Sequence, residues 1–134
     1  MANKFYPKGK EKMLRAPQVD WIADTIKAAL VSTAYTYSDA HEFFSSASAS
    51  VVGTPATLSD KTTTDGVFDA DDVAYAALAA GSTIKALLIY KDTGVASTSP
   101  LLGYLDAITG FPMATSGGDV IIPWSNGVAK IFSL

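Results

Sequence analysis

The 134-residue sequence has no cysteine, a single histidine and only two glutamates. The lack of cysteine excludes disulfides and thiolate metal sites. A Ser-His-Asp triad would have to use His41, and no Gly-x-Ser-x-Gly elbow occurs. No Gly-x-x-x-x-Gly-Lys-Ser/Thr or Gly-x-Gly-x-x-Gly loop is present to cradle phosphates. Apolar runs are short: residues 86–90 form one of the longest, far below the length that spans a bilayer. Residues 1–15 are basic and lack an apolar core, so no signal peptide is expected. Charged residues make up only 17%. A body with so little charge is surfaced by Ser, Thr, Ala and Gly, or is covered by a neighbour.

What is present suits one packed domain. Hydrophobic residues reach 49%, enough for a sizeable core in a chain of this length. The net charge of −3 is unevenly spread. Residues 1–15 hold Lys4, Lys8, Lys10, Lys12 and Arg15 against Glu11, a net +4; the remainder holds five cations against twelve carboxylates, a net −7. This pattern predicts a basic N-terminal arm over residues 1–19 and an acidic β-sandwich domain over residues 20–134. Such an arm can reach for an acidic partner, which the body of another copy would supply; the alternative is a solvated, frayed terminus, and the acidic body would repel nucleic acid.

Within the arm, Pro7 to Leu14 fits one or two helical turns, weakened by Gly9 and ended by Pro17. Residues 21–31 fit a helix or a strand. Ile26, Ala28 and Leu30 alternate, and the β-rich stretch that follows favours the strand. Residues 39–44 read as a short helix capped by Ser38 or Asp39, with His41 on its surface. From Ser45 onward the pattern is β, with strands expected at 50–58, 65–69, 73–79, 83–91, 100–107, 118–123 and 130–133. Turn signals divide them, among them Asp92-Thr93-Gly94, Thr109-Gly110 and Ser125-Asn126-Gly127. Residues 45–50 and 94–100 read as loops. The expected fold is mainly β: an antiparallel sandwich or barrel with one or two short helices and an extended N-terminal arm. Residues 83–91 read as its clearest core element, a strand covered on both faces, with 101–108 as neighbour.

Candidate chemistry is thin. Asp65, Asp69, Asp71 and Asp72 form the best metal candidate, but they lack the order of a calcium loop, and capping of a turn accounts for them. Thirteen acids permit many carboxylate pairs, and nothing singles out two. Trp21 and Trp124 suit core packing better than sugar stacking. No catalytic residue, cofactor or metal is therefore expected. The candidate partner-binding residues are Lys4, Phe5, Tyr6, Lys8, Lys10, Lys12, Met13, Leu14 and Arg15.

Several stretches, taken in order, resemble a family of small bacteriophage virion proteins. They are Tyr6-Pro-Lys-Gly-Lys-Glu-Lys-Met-Leu14, Asp24-Thr-Ile-Lys-Ala-Ala-Leu-Val31, Ala40-His-Glu-Phe43, Thr64-Asp-Gly-Val67 and Asp71-Asp-Val73. Then come Ala86-Leu-Leu-Ile-Tyr-Lys-Asp-Thr-Gly94, Ser99-Pro-Leu101, Gly117-Gly-Asp119, Trp124-Ser-Asn-Gly127 and Lys130-Ile-Phe132. The resemblance implies a capsid cement or decoration protein, made in the host cytoplasm and carried on the capsid surface. Its implied partners are the major capsid protein and copies of itself, with no membrane. It assigns no individual interface residue. A neck, head–tail joining or tail component is the alternative station. A carbohydrate-binding adhesion module is a further alternative, and it requires Trp21 or Trp124 exposed beside polar groups.

Overall fold

The computed structural model describes residues 3–15, 18–108, 110–124 and 131–133. The expected stop at Pro17 and the turns at Thr109 and at 125–127 lie outside them, as does Lys130 of the last expected strand. In chain order the elements are β1 (Lys4–Phe5), α1 (Pro7–Leu14), β2 (Ile26–Ser32), β3 (Val51–Thr57), β4 (Val67–Phe68) and β5 (Val73–Tyr75). They continue with β6 (Thr83–Lys91), β7 (Leu101–Leu105), β8 (Met113–Ala114), β9 (Val120–Ile122) and β10 (Phe132–Ser133). The protein is mainly β, and every strand pair is antiparallel.

The main sheet runs β1-β7-β6-β2-β3, with β8 continuing beside β6. Its centre is β6, where Leu88 lies opposite both Ala29 and Tyr104. The unbroken apolar run of β6 arises because both of its faces are covered. On one face Ile26, Ala28, Leu30, Ile84, Leu87, Ile89, Leu102 and Leu105 pack against Leu58, Phe68, Tyr75 and Ile122. The cover there is two ribbons, β4 with β10 and β5 with β9. Tyr75 ties ribbon to sheet by donating its hydroxyl to the Ala28 carbonyl at 2.7 Å. On the opposite face Ala29, Val31, Ala86, Leu88, Tyr90, Leu101 and Tyr104 pack against Tyr6, Tyr35, Phe44 and Ala47. We call these the ribbon face and the loop face.

Three expectations are corrected. First, residues 4–14 do not extend from the body. Strand β1 adds to the edge of β7, with Lys4 opposite Tyr104 and Phe5 opposite Gly103, and α1 follows along the same edge. Open strand edges and the apolar Phe5 and Tyr6 are both costly in water, and docking removes both costs. Second, residues 39–43 form no helix. The Ser38 side chain does accept the Ala40 amide, at 3.1 Å, but the chain then extends. Its backbone is taken by residues 99–101: the Leu101 amide donates to the Glu42 carbonyl and the Phe44 amide to the Ser99 carbonyl. Third, residues 45–50 are more ordered than a plain loop. They form two short 3-10 turns that bury Ala47. The two-residue strands β1 and β8 were not anticipated.

Candidate interaction surface

The candidate partner-binding residues lie along one flank, where β1 and α1 meet β7 and residues 35–44. Pro7 takes the first helical position, where its missing amide hydrogen is no loss. Gly9 is buried, and its absent side chain is what allows contact. A Cβ there would stand 2.4 Å from the Leu101 carbonyl oxygen and 3.0 Å from the Leu102 Cα. The helix therefore lies directly on the β7 backbone.

Tyr6 is the anchor. It is fully buried, and its amide donates to the Leu102 carbonyl at 3.0 Å. Its hydroxyl lies 2.7 Å from that of Tyr35, which lies 2.8 Å from Nδ1 of His41. Its ring tilts against Tyr37, which meets Tyr104 edge-on. Burial, then the hydrogen bond to Tyr35, pushes the Tyr6 phenol far above its ordinary range. Burial also raises Tyr35 and Tyr104. Tyr37 is raised by burial and then by its hydrogen bond to Asp39. These phenols stay neutral at ordinary pH, and their hydrogen bonds fasten the segment in place.

The cations divide into two groups. Lys12 pairs with Glu42 at 2.8 Å and sits over the Phe43 ring; Lys4 lies 3.9 Å from Asp39 and over the Tyr37 ring. The acidic partner expected from another copy is thus supplied, for these two, by residues 39–42 of the same chain. Lys8 pairs with Glu11 on its own helix at 3.7 Å. Lys10 and Arg15 are exposed, and among the described residues no carboxylate pairs with either. Phe5 meets Phe132 edge-on at 4.7 Å, Met13 is half-buried, and Leu14 is 86% exposed.

The sequence reading missed the receiving residues, Tyr35, Tyr37, Glu42 and Tyr104. The spacing of Tyr35 and Tyr37 is a local hint, since alternate residues of an extended chain share a side. Nothing local pairs Lys12 with a residue thirty positions away. His41, expected on a surface helix, is instead half-buried in an extended stretch against Tyr35.

The other candidates serve the fold. Asp72 accepts the Trp124 amide at 2.8 Å, and the Asp71 carbonyl accepts the Trp124 indole hydrogen at 2.9 Å. A shared hydrogen bond with Asp60 raises the exposed Asp71 carboxyl. Among the described residues, no three His, Cys, Asp or Glu side chains group as metal ligands. Trp124 is buried, and the half-buried Trp21 lies against Phe68 and Phe132. Phe5, Trp21, Ile89, Gly103, Leu105 and Phe132 help line an apolar cavity of 130 Å³. Among the described residues no helix is long and apolar enough to cross a membrane. No protein-family model matches this chain, and a search of curated proteins returned no match.

Proposed function

We propose that this chain is a structural protein of a bacteriophage particle, a cement or decoration protein that binds the major capsid protein in many copies. The observation that supports the reading best is the two-sided character of α1. One side is seated on β7 through Gly9, while Lys8, Lys10, Leu14 and Arg15 face solvent. A fixed cationic ridge beside an apolar tip suits attachment to an acidic protein surface. Repetition over a lattice turns such modest contacts into firm attachment. A body covered on both sheet faces gives each copy the rigidity that this role needs. The resemblance noted above points the same way, and no catalytic step enters the reading.

The test is imaging and mass spectrometry of purified particles. The reading expects this chain at many copies on the shell. A ring at the neck or a stack in the tail would move it to another station, and absence from particles would overturn it. A Lys8→Glu, Lys10→Glu, Arg15→Glu variant should fold normally and lose at least about tenfold in occupancy. Full occupancy would show that attachment uses another surface.

A further inference from the structure

Strand β7 is buried along its whole length, yet its middle residue has no side chain. Gly103 stands in register between Phe5 of β1 and Ile89 of β6. Its backbone does not call for glycine, since its φ is not positive. Crowding does not call for it either. The one atom within 4 Å of an added Cβ would be the Ile89 Cβ, at 3.8 Å, an ordinary contact. What the missing side chain does is leave a gap on the ribbon face, and that gap opens into the 130 Å³ cavity.

The rest of the enclosure is apolar and largely aromatic. Ile89 and Leu105 are buried and belong to the ribbon-face core. Phe5 and Phe132 meet edge-on with centroids 4.7 Å apart, and Phe132 meets Trp21 at 4.9 Å. The polar side chains at the border, Asn3 and Lys4, are engaged elsewhere. Asn3 accepts the Asp106 and Ala107 amides at 2.9 and 2.8 Å. The Lys4 ammonium lies over the Tyr37 ring and 3.9 Å from Asp39. Among the described residues no carboxylate lines the cavity.

We infer that this cavity binds a free, neutral hydrocarbon ring of about six or seven heavy atoms, the size of benzene. Volume sets the size: an apolar cavity of about 150 Å³ walled by Leu, Ile and Phe takes up benzene or xenon, whereas drug-sized ligands need about 300 Å³ or more. The lining sets the chemistry. A hydroxyl or charge buried here would lose water and gain no partner. A quaternary ammonium ion would suit the aromatic rings, but no lining carboxylate offsets its desolvation. A hydrocarbon has nothing to desolvate at a cost, and it supplies the dispersion contacts that wall atoms facing a gap lack. The guest would touch β1, β6, β7 and β10 together, so it binds the folded chain in preference to the unfolded one. The inference goes beyond the proposed function and does not rest on it.

Benzene titrated into the isotopically labelled full-length protein tests it. Amide shifts at residues 5, 89, 103 and 105 should saturate together, with half-saturation at about 1 mM or below. The melting temperature should rise with benzene concentration. Gly103→Val puts a branched side chain into the gap, and in the folded variant should weaken binding at least about tenfold. Tetramethylammonium, a charged ion of similar size, should bind at least about tenfold more weakly than benzene. No saturable shift up to about 10 mM benzene overturns the inference. Binding that Gly103→Val leaves intact also overturns it, because the site then lies elsewhere. Tetramethylammonium binding as tightly as benzene overturns the assigned chemistry. If Gly103→Val fails to fold, Gly103→Ala decides the location: a loss of at least about threefold supports the site, and unchanged affinity overturns it.

Discussion

Leu87 and Leu88 are neighbours on β6, both fully buried, and they point to opposite faces of the main sheet. Leu87 meets the ribbon face, whose cover consists of strands and is almost wholly apolar. Leu88 meets the loop face, whose cover is tyrosine-rich, hydroxyl-bridged and partly supplied by residues 3–14, the N-terminal lever. Tyr75 is the one tyrosine in the buried cluster of the ribbon face; Tyr6, Tyr35, Tyr90 and Tyr104 belong to that of the loop face. The same strands thus carry one side closed chiefly by packing, with the Tyr75–Ala28 hydrogen bond, and another closed by packing and several polar latches. A latch that depends on a few groups can be opened by changing one of them. A packed ribbon cannot be lifted without unfolding what lies under it.

The largest test of this contrast is Phe68→Ala. Phe68 is 1% exposed and stacks on Phe132 beneath the ribbons. Its loss should lower global stability by about 3–5 kcal/mol in denaturant unfolding. Amide protection in β2, β6 and β7 should fall together. A loss confined to residues 67–75 would break the contrast.

High pH comes next and weighs more on the other face, where the buried phenols of Tyr6, Tyr35, Tyr90 and Tyr104 are all raised, against Tyr75 on the ribbon face. A tyrosine with a raised folded pKa stays neutral in the folded state while the unfolded chain ionises near 10. Its stabilisation is complete below pH 10 and shrinks as pH rises toward the folded value. Tyr6, Tyr35 and Tyr104 are raised, and Tyr90 is pushed up to about 12, by burial first and then by Asp92. Each such phenol should remove about 1.4 kcal/mol per pH unit above 10. Denaturant midpoints measured from pH 9 to pH 12 should show this, with proteolysis between residues 14 and 18 appearing before global unfolding. The variant Tyr6→Phe should flatten the slope by about one phenol's share. An unchanged slope would mean that Tyr6 ionises without leaving its site.

How much of this could be read beforehand depends on the range of the interaction. Strand β6 was legible over its full length, because burial on both faces writes an unbroken apolar run. Strand β2 was legible from the alternation of Ile26, Ala28 and Leu30, all of which point to the ribbon face. The expected helix at residues 39–44 failed because its capping signal is local, whereas the backbone is claimed by Ser99, Pro100 and Leu101 far along the chain. The cations of the lever were visible as a charge imbalance. Their acceptors were not, since Asp39 and Glu42 resemble any other surface acids until the fold brings them to Lys4 and Lys12. Strands β1 and β8 have two residues each, too few to carry a period, and owe their form to the partner strand.

Two glycines that meet β7 carry the contrast to its smallest effects. At Gly9, on the lever, alanine gains up to about 1 kcal/mol of helix propensity but forces a methyl into the Leu101 carbonyl. Strain of this kind costs about 1–3 kcal/mol, so Gly9→Ala should destabilise on balance. Hydrogen exchange should localise the loss to residues 6–14, leaving β2 and β6 protected. If the whole sheet loses protection, the lever is part of the core and the face it covers is not latched.

Gly103 gives the opposite sign. It lies in the middle of β7 with an ordinary backbone, and a Cβ there would meet the Ile89 Cβ at 3.8 Å, a normal contact. The methyl would enter the 130 Å³ cavity, which is lined by Ile89 and Leu105 of the ribbon-face cluster. Alanine in place of a strand glycine removes unfolded-chain freedom and adds apolar contact, a gain of about 0.5–1 kcal/mol. Gly103→Ala should therefore raise the denaturant midpoint with an unchanged slope. Phe5 of β1 borders the same cavity, so the lever's first strand should tighten rather than lift. The same substitution at Gly9 and Gly103 thus separates a face with no space beneath its cover from one with space to fill. A destabilised Gly103→Ala would mean that the cavity walls, including Phe5 and Phe132, already close on that site in solution.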